Sequence, residues 1–174
     1  MRRNEKGFTI IELMIAISIA AAVTGAATMS VFQVIEGVGR SNDHMIATRQ
    51  VQNAGYWISH DTNMAQTIVE GDDPGTPDQE EFVTFKWTDW ESGDVHTIIY
   101  IFEDMPDDLK KLKRNHLTHD IEGTEIGNEM TFVAQNIESA SFTQYSFFWK
   151  LIVQTRSGEE TESREYKIIP RSSL

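Results

Sequence analysis

Hydrophobic residues are concentrated near the start of the chain. Residues 8–35 read FTIIELMIAISIAAAVTGAATMSVFQVI and contain one ionisable side chain, Glu12. As an α-helix this run is about 42 Å long, which exceeds the ~30 Å hydrocarbon core of a bilayer. Arg2, Arg3 and Lys6 precede the run, and basic residues beside a span stay on the cytoplasmic side. The pattern predicts a single-pass membrane helix with its amino terminus in the cytoplasm and the remaining chain outside.

A second helical pattern follows the apolar run. Apolar residues recur mostly every three or four positions up to about residue 68, which predicts an amphipathic continuation of the helix that packs on a sheet. Gly37 and Gly39 lie between the two patterns and predict a bend or local opening. The stripe consists of Ala47, Val51, Ala54, Ile58, Ala65 and Ile68, with Asp61 in the same row and Trp57 and Met64 widening it.

Strand patterns occupy the rest of the chain. Residues 82–88 alternate apolar and polar side chains, and residues 96–102 are rich in β-branched and aromatic types, with Gly93 between them, so we predict a hairpin. A long helix followed by strands, without crossover helices, predicts an α+β fold with an antiparallel sheet against the helix. Further strands are predicted at residues 112–117, 141–144, 147–154 and 164–169, with Gly158 in the last turn.

Charge and composition exclude several classes of protein. The net charge is −12, and because residues 1–7 contribute +2, residues 8–174 carry −14, which repels nucleic-acid phosphates. The chain has no cysteine, so disulfides, thiolate metal sites and cysteine nucleophiles are absent. The basic cluster at residues 110–119 has acidic neighbours at Glu103, Asp104, Asp107 and Asp108, and we expect these to neutralise it locally. Nucleic acid is disfavoured as a partner, although the cluster leaves contact with DNA as an alternative.

Candidate metal and catalytic sites are weak. Residues 70–81, EGDDPGTPDQEE, form a loop whose carboxylates could hold calcium, but they lack the ordered alternation of an EF-hand, so a solvated loop is the preferred interpretation. His116, His119 and Asp120 have metal-like spacing only on a helix, where we predict strand and turn. No nucleophile elbow, zinc-protease motif or phosphate-binding glycine loop occurs. We therefore predict no catalytic residues, no metal site and no cofactor.

The residues around position 7 resemble a known processing site. The sequence KGFTIIELMIA, residues 6–16, is similar to the processing site of bacterial type IV prepilins and pseudopilins. The resemblance implies that a membrane-embedded aspartic peptidase cuts between Gly7 and Phe8, that Phe8 is then N-methylated, and that the apolar helix is retained. It also implies that Glu12 neutralises the terminal ammonium of a neighbouring subunit's Phe8. The chemistry agrees, because cleavage places an ammonium one helical turn before a carboxylate.

The resemblance implies a domain organisation and a role. It implies a leader at residues 1–7, a membrane and filament-core helix at 8–35, and a periplasmic or extracellular pilin-like domain at 36–174. The function implied is a minor pilin or pseudopilin, a structural subunit of a type IV pilus or type II secretion filament. Its partners would be other pilins, the prepilin peptidase and methyltransferase, and the inner membrane. Residues 44–171 more loosely resemble J-type minor pseudopilins and W-type minor pilins through IIYIFED, FFWKLIVQT and YKIIPR, although Ser172 stands where these commonly carry asparagine after the arginine.

Two other interpretations of the amino terminus remain. The apolar run is longer than the 7 to 15 residues of a cleaved secretory signal, yet small residues at 20–22 and 25–27 mimic a cleavage site. An uncleaved anchor would carry a membrane-anchored binding module for DNA or another ligand. Glu12 argues against a simple tether, because a carboxylate within a bilayer costs about 2.5 to 3.5 kcal/mol.

Overall fold

The computed structural model describes Gly7 and residues 9–71 and 81–170. Phe8 and most of the acidic segment at 70–81 lie outside the described residues, so the solvated loop stays a prediction for that segment and calcium binding stays the alternative. Contacts divide the chain into two compact units, Met1–Ser41 and Asn42–Leu174. The elements are α1 (Ile10–Met64), β1 (Thr67–Glu70), β2 (Glu81–Thr88), β3 (Val95–Asp104), a 3₁₀ turn (Pro106–Asp108), β4 (Lys110–His119), β5 (Glu125–Tyr145), β6 (Phe148–Ser157) and β7 (Glu160–Ile168).

The seven strands form one antiparallel sheet in chain order. Every strand pairs with the next along the chain, and all the pairs are antiparallel. The hairpin predicted around Gly93 is confirmed as β2 and β3, and Gly158 lies in the turn before β7 with a φ of 56°. The α+β fold predicted from the order of patterns is therefore confirmed.

The carboxyl-terminal part of α1 packs on one face of the sheet. Ala47, Val51, Ala54 and Ile58 are fully buried, which confirms the central part of the predicted stripe. Met64 is 45% exposed, so the prediction that it widens the stripe is wrong. The core opposite these helical residues comes from alternate positions of the strands and includes Val83, Phe85, Ile98, Tyr100, Leu112, Val133, Leu151 and Val153.

The predicted end of the helix is wrong by about one turn. The helix ends at Met64, and Ile68 belongs to β1, where it pairs with Phe85 of β2. The backbone N–H of Gln66 already donates to the carbonyl of Lys86 at 2.9 Å. Residues 67–69 are Thr, Ile and Val, whose branched side chains favour a strand once a neighbouring strand is available. Gly37 and Gly39 are both α-helical, so the predicted local opening does not occur there.

β5 is much longer than the predicted strand. Residues 141–144 are only the end of the strand Glu125–Tyr145, which pairs with β4 through its first part and with β6 through its second. Its first part mixes Gly127, Asn128 and Glu129 with apolar residues, and the register with β4 shifts between Leu112 and Lys113. A shift of this kind breaks the simple alternation by which a strand is recognised in sequence.

Gly55 allows Tyr166 to lie against the helix. A Cβ at this buried glycine would overlap the ring of Tyr166, and the Tyr166 hydroxyl donates to the Val51 carbonyl at 3.1 Å. We expect Gly55→Ala to lower the free energy of unfolding by about 1–3 kcal/mol, because the overpacking outweighs the helix propensity gained from alanine. Urea unfolding of the full chain in detergent measures this.

The double variant Gly55→Ala, Tyr166→Ala is the control for Gly55→Ala. Removing the ring leaves room for the new methyl group, so Gly55→Ala should be neutral or stabilising in the Tyr166→Ala background. A Gly55→Ala variant more stable than the wild type would contradict the proposed packing.

Candidate assembly site at the start of the helix

Gly7 lies outside the helix and is exposed. It precedes the first helical residue, Ile10, and among the described residues no side chain lies within 4 Å of the position a Cβ would take. The structure therefore leaves this backbone accessible, as cleavage after Gly7 would require. Phe8, the other predicted processing residue, lies outside the described residues.

Thr9 and Glu12 cap the start of α1 reciprocally. The N–H of Glu12 donates to the Thr9 hydroxyl oxygen at 3.3 Å, and the N–H of Thr9 donates to Glu12 Oε2 at 3.0 Å. The Thr9 hydroxyl also donates to Oε2 at 3.1 Å. This is a capping box, in which threonine and a glutamate three residues later satisfy helix N–H groups that have no partner in the preceding turn. This cap was not predicted from the sequence, although the Thr-x-x-Glu spacing is visible there.

The first part of α1 presents apolar side chains on all sides. The large apolar residues between Ile10 and Ile35 are 54–79% exposed. The helix is long and apolar enough to cross a membrane. Three of its hydroxyl groups are satisfied within the helix, because Ser18, Thr28 and Ser30 each donate to the carbonyl four residues earlier at 2.8–3.0 Å. Internal pairing of this kind suits a helix surrounded by lipid or by other helices.

Comparison with protein families agrees with these features. Residues 2–28 match the family pattern described as the prokaryotic N-terminal methylation motif. This motif is the prepilin-type signature of type IV pilins and pseudopilins. The chain carries a prepilin-type amino terminus. No curated protein and no solved structure matches the chain. Together with the long helix and the antiparallel sheet, the prepilin-type amino terminus confirms the resemblance and the pilin-like fold predicted from sequence.

The pilin-like domain contains a buried ion pair beneath the helix. Asp61 is 1% and Arg114 is 8% exposed. Arg114 Nε donates to Asp61 Oδ2 at 2.8 Å and Nη2 donates to Oδ1 at 3.2 Å, and the Tyr100 hydroxyl donates to Oδ2 at 2.5 Å. Burial and the charge of Asp61 raise the pKa of Tyr100 above its ordinary value, so this phenol stays protonated and remains a donor. The guanidinium also lies over the Trp57 ring, 5.1 Å from its centroid.

The basic cluster at residues 110–119 lies on β4, and two of its lysines pair with one of the acidic neighbours, Glu103. Lys111 and Lys113 of β4 both reach Glu103 of β3, at 3.6 and 3.1 Å. Arg114 points to the other face of β4 and pairs with Asp61, which the sequence analysis did not anticipate. These pairs reduce the positive charge that the cluster presents to nucleic acid.

The spacing of His116, His119 and Asp120 does not form a metal site. β4 ends at His119, and residues three apart on a strand point to opposite faces of the sheet. Within the described parts of the chain, no three histidine or carboxylate side chains are grouped so that they could hold a metal ion. Among the aromatic residues of the sheet and its turns, Trp149 is buried, whereas Phe147 and Trp90 are 71% and 89% exposed.

Proposed function

We propose that the chain is a structural subunit of a type IV pilus or type II secretion filament, processed by a prepilin peptidase. The observation that carries the proposal is the prepilin-type motif at residues 2–28, which leads directly into a helix with exposed apolar side chains. Exposed apolar surface of this extent is stable only in lipid or against other apolar helices. A subunit that moves from a membrane into a filament core meets both environments.

In this proposal the leader, residues 1–7, is removed between Gly7 and Phe8, and Phe8 is methylated on its new amino group. Gly7 suits a peptidase that needs an extended backbone without a side chain at the cut. Arg2, Arg3 and Lys6 hold the leader in the cytoplasm, where the motif is presented to the membrane-embedded enzyme. Residues 8–35 then form the membrane and filament-core helix, and residues 36–174 are exported.

Glu12 sets the axial position of the subunit in this proposal. Its carboxylate oxygens offer about four acceptor sites, so Glu12 can keep its bonds to Thr9 and also accept a bond from the ammonium of a neighbouring Phe8. In an apolar filament core each charge compensates the other, whereas either alone is strongly unfavourable. The pair can form only at one axial offset between neighbouring helices. That offset then determines which apolar side chains of the two helices are in contact.

Within this class we propose a minor subunit, of the J type in a secretion system or the W type in a pilus, at the tip or in the complex that primes assembly. The loose similarity of residues 44–171 supports this finer assignment. The alternative is a membrane-anchored binding module that keeps its leader and joins no filament.

Mass spectrometry of the protein purified from its host tests the processing step. We expect the loss of residues 1–7 and one additional methyl group on Phe8. We expect Gly7→Leu to retain the leader entirely, because the peptidase site must then accommodate a large side chain. Gly25→Leu is the matched control, since Gly25 also has no neighbour within 4 Å but lies well inside the helix, and processing should be normal. An intact Met1 in the mature protein would favour the anchored module instead.

A further inference from the structure

Two histidines meet on the helix-facing side of the sheet, at a place unrelated to the prepilin-type amino terminus. His96 of β3 pairs in register with Trp87 of β2 and with Thr118 of β4. His116 lies two residues before Thr118 and therefore projects from the same face. We call Trp87, His96, His116 and Thr118 the histidine cluster. All four side chains are partly buried.

The ring nitrogens of the histidine cluster are close together. His96 Nδ1 lies 3.0 Å from His116 Nε2, and the Thr118 hydroxyl oxygen lies 3.2 Å from the same His96 Nδ1. An imidazole nitrogen has one in-plane position, which holds either a proton or a lone pair. His96 Nδ1 therefore cannot make two well-directed hydrogen bonds, and its two neighbours compete for one position. His96 Nδ1, His116 Nε2 and the Thr118 hydroxyl oxygen therefore lie close together, and one proton on His96 Nδ1 can form a hydrogen bond with only one of the other two atoms.

We propose that the histidine cluster binds a divalent transition-metal ion such as Zn²⁺, Ni²⁺ or Cu²⁺ through His96 Nδ1 and His116 Nε2. Imidazole nitrogens lie about 2.0–2.1 Å from such ions, so two of them are about 3.4 Å apart around tetrahedral Zn²⁺, whereas two at right angles around Ni²⁺ or Cu²⁺ are about 3.0 Å apart. The distance between the two ring nitrogens already equals this value. The Thr118 hydroxyl and water complete the shell, which gives weaker binding than the four protein ligands of a structural zinc site.

The surroundings disfavour a charged His116 ring and hold both imidazole rings in place. Burial, together with the charge of Arg114, lowers the pKa of His116 below its ordinary value. The charge of Arg114 is itself compensated by Asp61. Trp87 stacks on both rings, with centroid distances of 5.1 Å to His96 and 5.9 Å to His116. Glu129, opposite His116 on β5, adds an exposed negative charge beside the site.

Calorimetric titration of the full-length protein in detergent with NiCl₂ or ZnCl₂ tests the site. We expect one saturable ion per chain, with binding at least tenfold weaker in His96→Gln and in His116→Gln. His119→Gln is the matched control and should bind as the wild type does, because His119 lies on the opposite face of β4. Excess Ca²⁺ should not compete, since calcium prefers oxygen ligands.

Tryptophan fluorescence provides a second measurement that does not depend on the heat of binding. Ni²⁺ or Cu²⁺ should quench Trp87, and Trp87→Phe should lose most of the quenching while retaining calorimetric binding. Circular dichroism establishes that the glutamine variants are folded. The proposal is overturned if the folded wild type shows no saturable binding, if both glutamine variants bind as tightly as the wild type, or if Ca²⁺ displaces the ion.

Discussion

Glu12→Gln is expected to reduce incorporation of the subunit into filaments at least tenfold while leaving membrane insertion and leader cleavage intact. Glutamine preserves the side-chain oxygen of the capping box and removes the negative charge. The ammonium of Phe8 in a neighbouring subunit would then enter an apolar filament core without a counter-charge, at a cost of several kcal/mol. The measurement is the amount of variant in sheared or affinity-purified filaments, normalised to the processed protein in the membrane.

Glu12→Ala separates the two roles of this carboxylate. It removes both the charge and the helix cap, and loss of the cap costs about 0.5–2 kcal/mol of helix stability. If the charge controls assembly, Glu12→Gln and Glu12→Ala should be equally defective. Normal incorporation of Glu12→Gln together with a defect in Glu12→Ala would show that the cap, and not an ion pair with Phe8, is what assembly needs.

Arg114→Met is expected to destabilise the pilin-like domain by about 3–5 kcal/mol, because it leaves Asp61 charged, buried and without its cation. The Asp61→Asn, Arg114→Met double variant should be more stable than Arg114→Met alone, since it leaves no uncompensated charge. Asparagine also keeps an acceptor for the Tyr100 hydroxyl. Urea unfolding followed by tryptophan fluorescence gives all the free energies of this double-mutant cycle.

Lys113→Met is the matched control for Arg114→Met. Lys113 is the neighbouring residue on β4, and its ion pair with Glu103 is at the surface, with side chains 33% and 47% exposed. An exposed pair of this kind contributes about 0–1 kcal/mol. A cost for Arg114→Met no greater than that for Lys113→Met would contradict the role assigned to the buried pair.

The position of Asp61 could be predicted from the sequence, but its partner could not. Its position in the apolar row of the helix was visible, and the burial of Ala54 and Ile58 beside it confirms the row. Its cation was not visible, because Arg114 is 53 residues away along the chain and lies in a cluster of five other basic or histidine residues. Only pairing of β4 in its observed register directs Arg114 toward the helix and Lys113 away from it.

At Ile68 and in β5 the local sequence pattern did not predict the observed strand. The spacing of Ile68 continued the helical row, yet Ile68 pairs with Phe85 in the sheet. The first part of β5 had no clear alternation and is nevertheless a strand between β4 and β6. In both segments the hydrogen bonds offered by a neighbouring strand outweigh the local sequence pattern. Buried backbone N–H and C=O groups must be paired, and the intrinsic preference of a residue for helix or strand is weak by comparison.

The sequence by itself determined the apolar helix, the prepilin-type motif and the order of a long helix followed by a sheet. Each of these features depends on residues that are close together along the chain, or on whether a segment is apolar enough to leave water. The Thr9 and Glu12 cap belongs to this group, since its residues are one helical turn apart. Only the tertiary structure determined which charged side chains form ion pairs and which imidazole rings are in contact. Asp61 with Arg114, and His96 with His116, are joined by strand register, and register is set by the packing of the whole sheet against the helix.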